Sequence, residues 1–172
     1  MGGYAQGFRE HCPIRDPHVI APADNEDNAF DEVSRLLPSL SGQRIVVVAI
    51  NENAIMGAIR AAIALGRQGD LYYSGQGADP IIWREIACDP HYLASVAYFP
   101  EHYGETLIPA MIDILRRTMG VSGSSATALP AALYTHHKVV TAANIRSVYP
   151  ATPPCDPSSS GPPKQDVEAG LR

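Results

Sequence analysis

The sequence has few charged residues and no cluster of positive charge. Only 18% of its 172 residues are charged, the formal net charge is −5, and Arg116-Arg117 is the only adjacent basic pair. Domains that bind nucleic acids usually carry a basic patch. The composition therefore argues against a nucleic-acid partner.

The sequence also lacks a long apolar run and a signal peptide. No stretch approaches the roughly 20 apolar residues that a membrane-spanning helix requires. The start, Met1-Gly2-Gly3-Tyr4, has neither the basic nor the apolar region of a secretory signal. As written, the chain is expected to stay in the cytoplasm.

Cysteine is scarce, and the three residues form no CxxC pair. This spacing excludes zinc-ribbon and thioredoxin-like motifs. We expect Cys12 and Cys88 to fill small apolar spaces in the core, and a Cys12–Cys88 disulfide stays open as an alternative. Cys155 falls in a segment predicted to be a tail.

Familiar catalytic motifs are missing as well. There is no GxSxG and no HExxH sequence. Glu101 and His102 are neighbours on a predicted helix, and His136 and His137 are neighbours on an extended segment, so each pair is expected to point in different directions. We therefore predict a protein that is not an enzyme, with no catalytic residues, no metal and no cofactor.

What the sequence does contain is an alternation of helical and strand-like periodicity. Apolar residues at helical spacing predict a long helix from Pro100 to Met119, with a buried face of Leu107, Ile108, Met111, Ile112 and Leu115. The other predicted helices are Gly3–His11, Ala29–Leu40, Asn53–Leu65 and Ile81–Cys88. The predicted strands or extended segments are His18–Pro22, Arg44–Ile50, Leu71–Ser74, Leu93–Tyr98 and Tyr134–Thr141.

Strands separated by helices of this length pair in parallel through right-handed crossovers. The predicted fold class is therefore α/β, an open and mainly parallel sheet with helices on both faces. This domain is expected to cover residues 1–150. Residues 151–172 are rich in Pro, Ser and Gly and are predicted to be a disordered tail.

Polar side chains follow three of the predicted strands, in the loops Asn51–Asn53, Gly75–Asp79 and Tyr98–Glu101. In an open parallel sheet, ligands bind at the carboxyl ends of the strands. Amides both donate and accept hydrogen bonds, so they suit a ligand covered with hydroxyl groups. Asn51 has two interpretations from the pattern alone, because asparagine is also among the best helix N-caps. If Asn51 binds a ligand, Glu52 or Asn53 would take the cap.

Three blocks of sequence resemble one family. The run VVVAINENAIMGAIRAAIALGRQGDLYYSGQGADP, the block LASVAYFPEHYGETLIPAMIDIL and the ending VVTAANI are similar to the C-terminal lobe of type I periplasmic sugar-binding proteins, the ribose-binding-protein class. The resemblance covers about residues 1–150 in a single register. It implies one lobe of a two-lobed fold that encloses a sugar between its lobes.

The resemblance implies a ligand site of Asn51, Gln76 and Tyr98. Gln76 stands where many members have an aspartate, and Tyr98 where ribose binders have a glutamine, so the sugar is expected to differ. The implied partners are a small-molecule sugar and the membrane subunits of an ABC transporter, with a periplasmic location for a full-length member. The first lobe and the first strand of the second lobe are expected to be missing from this chain, which would then bind sugar weakly or not at all.

Two other interpretations remain beside a solute-binding component of a sugar transporter. The first is the effector-binding domain of a lactose-repressor-type transcription regulator, which has the same fold. The second is an inactive fragment. A signal peptide or a helix-turn-helix upstream of the lobe would separate transporter from regulator.

Overall fold

The computed structural model describes residues 2–11, 18–21, 23–41, 44–120 and 132–155. The predicted loop 121–129 and residues 156–172 of the predicted tail lie outside the described residues. The elements, in chain order, are helix α1 (Gly2–His11), helix α2 (Glu26–Leu36), strand β1 (Ile45–Val48), helix α3 (Glu52–Ala64), strand β2 (Leu71–Gly77), helix α4 (Trp83–Cys88), strand β3 (Tyr92–Ala97), helix α5 (Tyr103–Thr118), strand β4 (Lys138–Val140) and helix α6 (Ile145–Val148). Short 3₁₀ turns at Leu37–Ser39, Pro80–Ile82 and Pro100–His102 follow α2 and precede α4 and α5.

The four strands form one sheet in the order β1-β2-β3-β4. The first three are parallel, with Ile45 opposite Leu71 and Ser74 opposite Ala94. Strand β4 is antiparallel to β3, with Ser95 opposite Val140. The predicted α/β class with an open, mainly parallel sheet is confirmed.

Helix α3 forms the centre of the core because it is apolar on nearly all sides. Ile55, Ala61 and Ala62 are completely buried, and α3 packs on β1 and β2 below it and on α2 beside it. On β2, the alternate residues Leu71 and Tyr73 are buried, as expected for one face of a strand. Helix α1 lies against the opposite face, where its Tyr4 and Phe8 line a groove with Val46, Ser74 and Leu93.

Helices α2 and α3 approach each other unusually closely at Gly57. A Cβ atom at this position would lie 2.2 Å from the backbone oxygen of Glu26 and 2.8 Å from the Cβ of Ala29. A glycine is therefore required by the close approach of the two helices rather than by the backbone conformation of α3.

We expect Gly57→Ala to lower the free energy of unfolding by about 1–3 kcal/mol, since forcing a methyl group into a packed core displaces its surroundings. Alanine is a better helix former than glycine by about 1 kcal/mol. A loss of stability therefore indicates a packing clash, and a gain indicates that helix propensity dominates. Urea unfolding followed by circular dichroism measures it. Gly7→Ala in α1 is the matched control, because nothing lies within 4 Å of a Cβ there, and that variant should be neutral or stabilising. Equal effects at the two glycines would contradict the tight contact.

Several sequence predictions are wrong. Residues 18–21 of the predicted strand His18–Pro22 are not in a strand, and Pro22 lies outside the described residues. Strand β2 extends to Gly77, so most of the predicted loop Gly75–Asp79 belongs to the sheet. Pairing with β3 reaches Gly77, which explains why β2 is longer than its apolar run.

The predicted buried face of the long helix is also wrong. No residue of α5 is buried, and all five residues predicted to form that face are exposed. Amphipathic spacing shows that a helix has an apolar side, but it does not show that a neighbouring element covers it. The helix itself starts at Tyr103, after the 3₁₀ turn at Pro100–His102.

The cysteine prediction is corrected by a disulfide between Cys88 and Cys155. Cys88 is therefore not an unbonded core residue, and the alternative Cys12–Cys88 disulfide does not form; Cys12 lies outside the described residues. The disulfide joins the end of α4 to the segment after α6, where Thr152 is buried. The described chain thus continues to Cys155, five residues beyond the boundary predicted at residue 150.

Among the described helices, none is both long and apolar enough to cross a membrane.

Candidate ligand-binding edge of the sheet

The carboxyl ends of β1, β2 and β3 meet at one edge of the sheet because these strands are parallel. The ladder continues just past β1, where the Ala49 backbone N donates to the Ser74 oxygen at 3.2 Å. Asn51 follows β1, Gln76 is the penultimate residue of β2, and Tyr98 follows β3 directly. All three predicted ligand residues therefore lie at this edge.

Gln76 and Tyr98 are in direct contact. The Tyr98 hydroxyl donates a hydrogen bond to Oε1 of Gln76, and both side chains are partly buried. Burial raises the pKa of Tyr98, and the neighbouring Tyr103 and Glu52 raise it further, so the phenol remains a neutral donor. The Gln76 amide also carries an NH₂ group, which can donate to a ligand hydroxyl.

Asn51 is engaged by its own chain. Its Oδ1 accepts from the backbone N of Ala54 at 2.9 Å, which makes Asn51 the N-cap of α3. Its Nδ2 donates to the Asp24 backbone oxygen at 2.8 Å. The prediction that the cap passes to Glu52 or Asn53 is therefore wrong. An amide has a second N–H and a second lone pair, so the cap does not use all of its hydrogen-bonding capacity.

Tyr4 of α1 also lies at this edge, and no motif in the sequence indicates this position. Its hydroxyl donates to the Ala49 backbone oxygen at 3.2 Å. Burial raises the pKa of Tyr4 to about 12, and the neighbouring Tyr98 and Glu52 add to the increase. Tyr4, Tyr98, Asn51 and Gln76 thus bring two phenols and two amides to the edge. They are neutral groups that donate and accept hydrogen bonds, with aromatic rings beside them.

Glu52 lies completely buried beneath this edge. Its carboxylate accepts from the Tyr92 hydroxyl at 2.7 Å, from the Ser95 hydroxyl, and from the Ala78 backbone N at 2.8 Å. These donors come from β3 and from the turn after β2, so one carboxylate ties the start of α3 to both neighbouring strand ends. Burial raises the pKa of Tyr92, and the adjacent Glu52 raises it further.

The backbone at Gly75 and Ala78 accommodates the buried Glu52 side chain. A Cβ on Gly75 would lie 2.2 Å from Oε2 of Glu52, so only glycine fits there. Ala78 has a positive φ of 52°, a conformation that costs roughly 1–2 kcal/mol for a residue with a side chain. The hydrogen bond from Ala78 to Glu52 and a second one from the Trp83 indole to the Ala78 oxygen at 2.6 Å offset that cost.

A second group of polar residues lies around the end of β3. An open cavity of about 410 Å³ there is lined by Phe99, His102, Glu105, His136, His137 and Lys138. His102 Nδ1 lies 2.8 Å from Oε1 of Glu105, and this contact raises the pKa of His102. Within the described residues, no group of three or more His, Cys, Asp or Glu side chains is arranged to hold a metal ion.

Comparison with solved structures gives the class of the fold. The chain matches a periplasmic solute-binding protein of an ABC transporter from Actinobacillus succinogenes 130z with bound D-allose, at 17% identity and a TM-score of 0.66, over 85% of this chain and 48% of that one. It matches the Caulobacter myo-inositol binding protein at 19% identity and a TM-score of 0.61, over 84% and 47%. It also matches the fructose-binding periplasmic domain of a hybrid two-component system at 19% identity and a TM-score of 0.67, over 85% and 45%.

The chain therefore has the fold of one lobe of a type I periplasmic sugar-binding protein, as the sequence resemblance predicted. It spans about half the length of the solved structures that it matches. No protein-family profile matches the chain, and no curated protein matches it.

Proposed function

We propose that this chain forms one half of a sugar- or polyol-binding site and serves in solute binding rather than catalysis. The contact between Gln76 and Tyr98 at the carboxyl edge of the parallel strands is the observation that carries the proposal. Neighbouring structures of the same fold are proteins with bound D-allose or myo-inositol, which supports a ligand of that class.

The chemistry of the edge fits a neutral ligand with many hydroxyl groups. Gln76 and Asn51 offer amides that can donate and accept, and the phenol of Tyr98 is held neutral by the increase in its pKa. The rings of Tyr98 and Tyr4 provide apolar surface for the C–H face of a sugar ring. No cationic side chain is required for such a ligand.

We further propose that a second lobe completes the site, and that the assembled protein delivers its sugar to the membrane subunits of an ABC transporter. The length ratio supports the second lobe, because the chain spans about half of its structural neighbours. A single lobe offers half of the enclosing contacts, so the ligand would stay largely in water and little of its surface would be buried.

The disulfide supports an oxidising compartment such as the periplasm. Disulfides persist in secreted and periplasmic proteins and are rare in the cytoplasm, and Cys88–Cys155 joins two well-separated parts of this chain. The same bond favours the transport role over a cytoplasmic, lactose-repressor-type regulator. An inactive fragment would retain the bond but show no sugar contact at Gln76.

Titration of the 172-residue chain with D-allose, myo-inositol and D-fructose tests the half-site. By calorimetry we expect no binding, or binding no tighter than roughly millimolar, because half of the contacts and the enclosure are absent. In two-dimensional NMR at high sugar concentration, we expect shifts confined to the side-chain amides of Gln76 and Asn51 and to their neighbours.

Gln76→Ala should abolish those shifts, and Tyr98→Phe should weaken them because Gln76 loses its hydrogen-bond donor. Gln6→Ala on the exposed side of α1 is the matched control and should leave them unchanged. Micromolar affinity for a monosaccharide would show that one lobe is sufficient. Shifts that map away from the strand ends would contradict the proposed site.

A further inference from the structure

Helix α5 carries an apolar surface that nothing in the described structure covers. None of its residues is buried. Its large apolar side chains, together with Met119 just beyond its end, are 40–75% exposed; they are Leu107, Ile108, Met111, Ile112, Ile114, Leu115 and Met119. Soluble proteins rarely leave a contiguous apolar patch of this kind open unless it is an interaction site.

These residues form one continuous stripe. At 100° per residue, they fall within about 160° of the helix circumference, and the stripe spans about 18 Å from Leu107 to Met119. Gly104 lies on the same stripe near the start of the helix. A glycine there allows the backbone of a second helix to approach closely.

The charges beside the stripe are ordered along the helix. Glu105 is in the first turn and Arg116 in the last turn. These two residues are eleven positions apart, so they lie within about 20° of each other, on the same flank of the stripe. The helix is therefore acidic at one end and basic at the other along a single border of its apolar surface.

We propose that this stripe, Leu107–Met119, is the dimer interface of the protein, and that a second copy of α5 packs against it in antiparallel orientation. In an antiparallel pair related by a two-fold axis, the same flank of both helices lies on the same side of the interface. Glu105 of one copy then faces Arg116 of the other, and the symmetry repeats this contact at the opposite end. The antiparallel arrangement also opposes the two helix dipoles favourably.

Parallel two-fold pairing would place this flank of the two helices on opposite sides of the interface, so no contact between Glu105 and Arg116 would form. A pair of helices of this length buries less surface than a typical stable interface of about 1,600 Å². The dimer is therefore expected to be weak, with a dissociation constant on the order of tens of micromolar.

Sedimentation equilibrium of the full 172-residue chain, with its disulfide intact, tests the proposal. The wild-type chain should show a monomer–dimer equilibrium. Met111→Glu should weaken the dimer by at least about 30-fold, because it places two carboxylates at the centre of the apolar interface. Met111 is 59% exposed in the single chain, so circular dichroism of the variant should be unchanged.

The charge pair supplies the specific test. Glu105→Arg and Arg116→Glu should each weaken the dimer about 10-fold, since two contacts per dimer turn repulsive. The double variant restores opposite charges and should return the affinity to within about 3-fold of the wild type. Asp113→Arg makes the same change of charge outside that flank, and it is the matched control, with an expected change below about 2-fold.

A wild-type chain that stays monomeric at millimolar concentration would overturn the proposal and indicate that α5 folds onto its own sheet. A dimer that is insensitive to Met111→Glu, or single charge variants that are not rescued in the double variant, would also overturn it. Since no sugar is involved, these outcomes are independent of the proposed ligand site.

Discussion

Replacing Glu52 by alanine is expected to lower the free energy of unfolding by about 3–5 kcal/mol, because it leaves several buried hydrogen-bond donors without an acceptor. The carboxylate is completely buried and accepts from Tyr92, Ser95 and the Ala78 backbone. Each orphaned donor costs roughly 1–3 kcal/mol, and the lost side chain leaves a cavity as well. Urea unfolding can be followed through the fluorescence of Trp83, the only tryptophan.

Further substitutions separate the effect of losing the carboxylate from the effect of losing side-chain volume. Glu52→Gln keeps the volume but turns one acceptor into a donor, so it should cost less, about 1–3 kcal/mol. Tyr92→Phe removes a single donor, and its effect should shrink when it is combined with Glu52→Ala, since the two residues share one hydrogen bond. Glu101→Ala at an exposed position is the control and should stay within about 0.5 kcal/mol. A Glu52→Ala chain as stable as that control would contradict the network.

The same network connects stability to the candidate site. Glu52 fixes the turn after β2 through Ala78 and fixes β3 through Tyr92 and Ser95. Gln76 and Tyr98 stand on these two strand ends, so their separation depends on Glu52 although neither side chain bonds to it in the structure. The buried carboxylate is therefore a positioning group in the proposed site.

The parallel part of the sheet could be predicted from the sequence because it depends on local periodicity. Apolar runs separated by helices define β1, β2 and β3 and the direction of their pairing. Strand β4 is only three residues long, and its direction is set by contact with β3. No local pattern in Lys138–Val140 distinguishes a parallel from an antiparallel partner.

The candidate site shows the same division. Gln76 and Tyr98 could be placed at this edge from the sequence, because each lies in a loop that follows a predicted strand. Their contact depends on β2 and β3 being neighbours in the sheet. Tyr4 reaches Ala49 across 45 residues, and Glu52 reaches Tyr92 across 40. Contacts of that sequence separation depend on how the helices pack. They leave no signature at positions that otherwise fit an ordinary helix and an ordinary helix start.

The pairing of Cys88 with Cys155 could not be predicted from the sequence either. Three cysteines allow several pairings, and Cys155 lies among prolines and serines that are typical of a disordered tail. The fold brings it to Cys88 because Trp83 stacks on Tyr149 at 4.5 Å, and Arg146 donates to the Thr152 and Pro153 oxygens at 3.1 and 3.0 Å. These contacts return the chain to the end of α4 after α6.

Loss of this disulfide is expected to lower the free energy of unfolding by about 4 kcal/mol, since the bond closes a loop with a sequence separation of 67 residues. Without the disulfide, the unfolded chain has more conformational entropy, and this favours unfolding. The double variant Cys88→Ser/Cys155→Ser should therefore unfold at a clearly lower urea concentration than the wild type, with Trp83 fluorescence as the signal.

Reduction provides an independent route to the same state. Dithiothreitol should shift the wild-type transition to that of the double serine variant and leave the variant itself unchanged. Cys12→Ser keeps both bonded cysteines and should retain the wild-type sensitivity to reduction. If Cys12→Ser alone removed that sensitivity, the bond would involve Cys12 instead, and the segment after α6 would have no covalent link to α4. If the transition did not move on reduction in any variant, the disulfide would contribute nothing to the stability of the fold, contrary to the expected loss of about 4 kcal/mol.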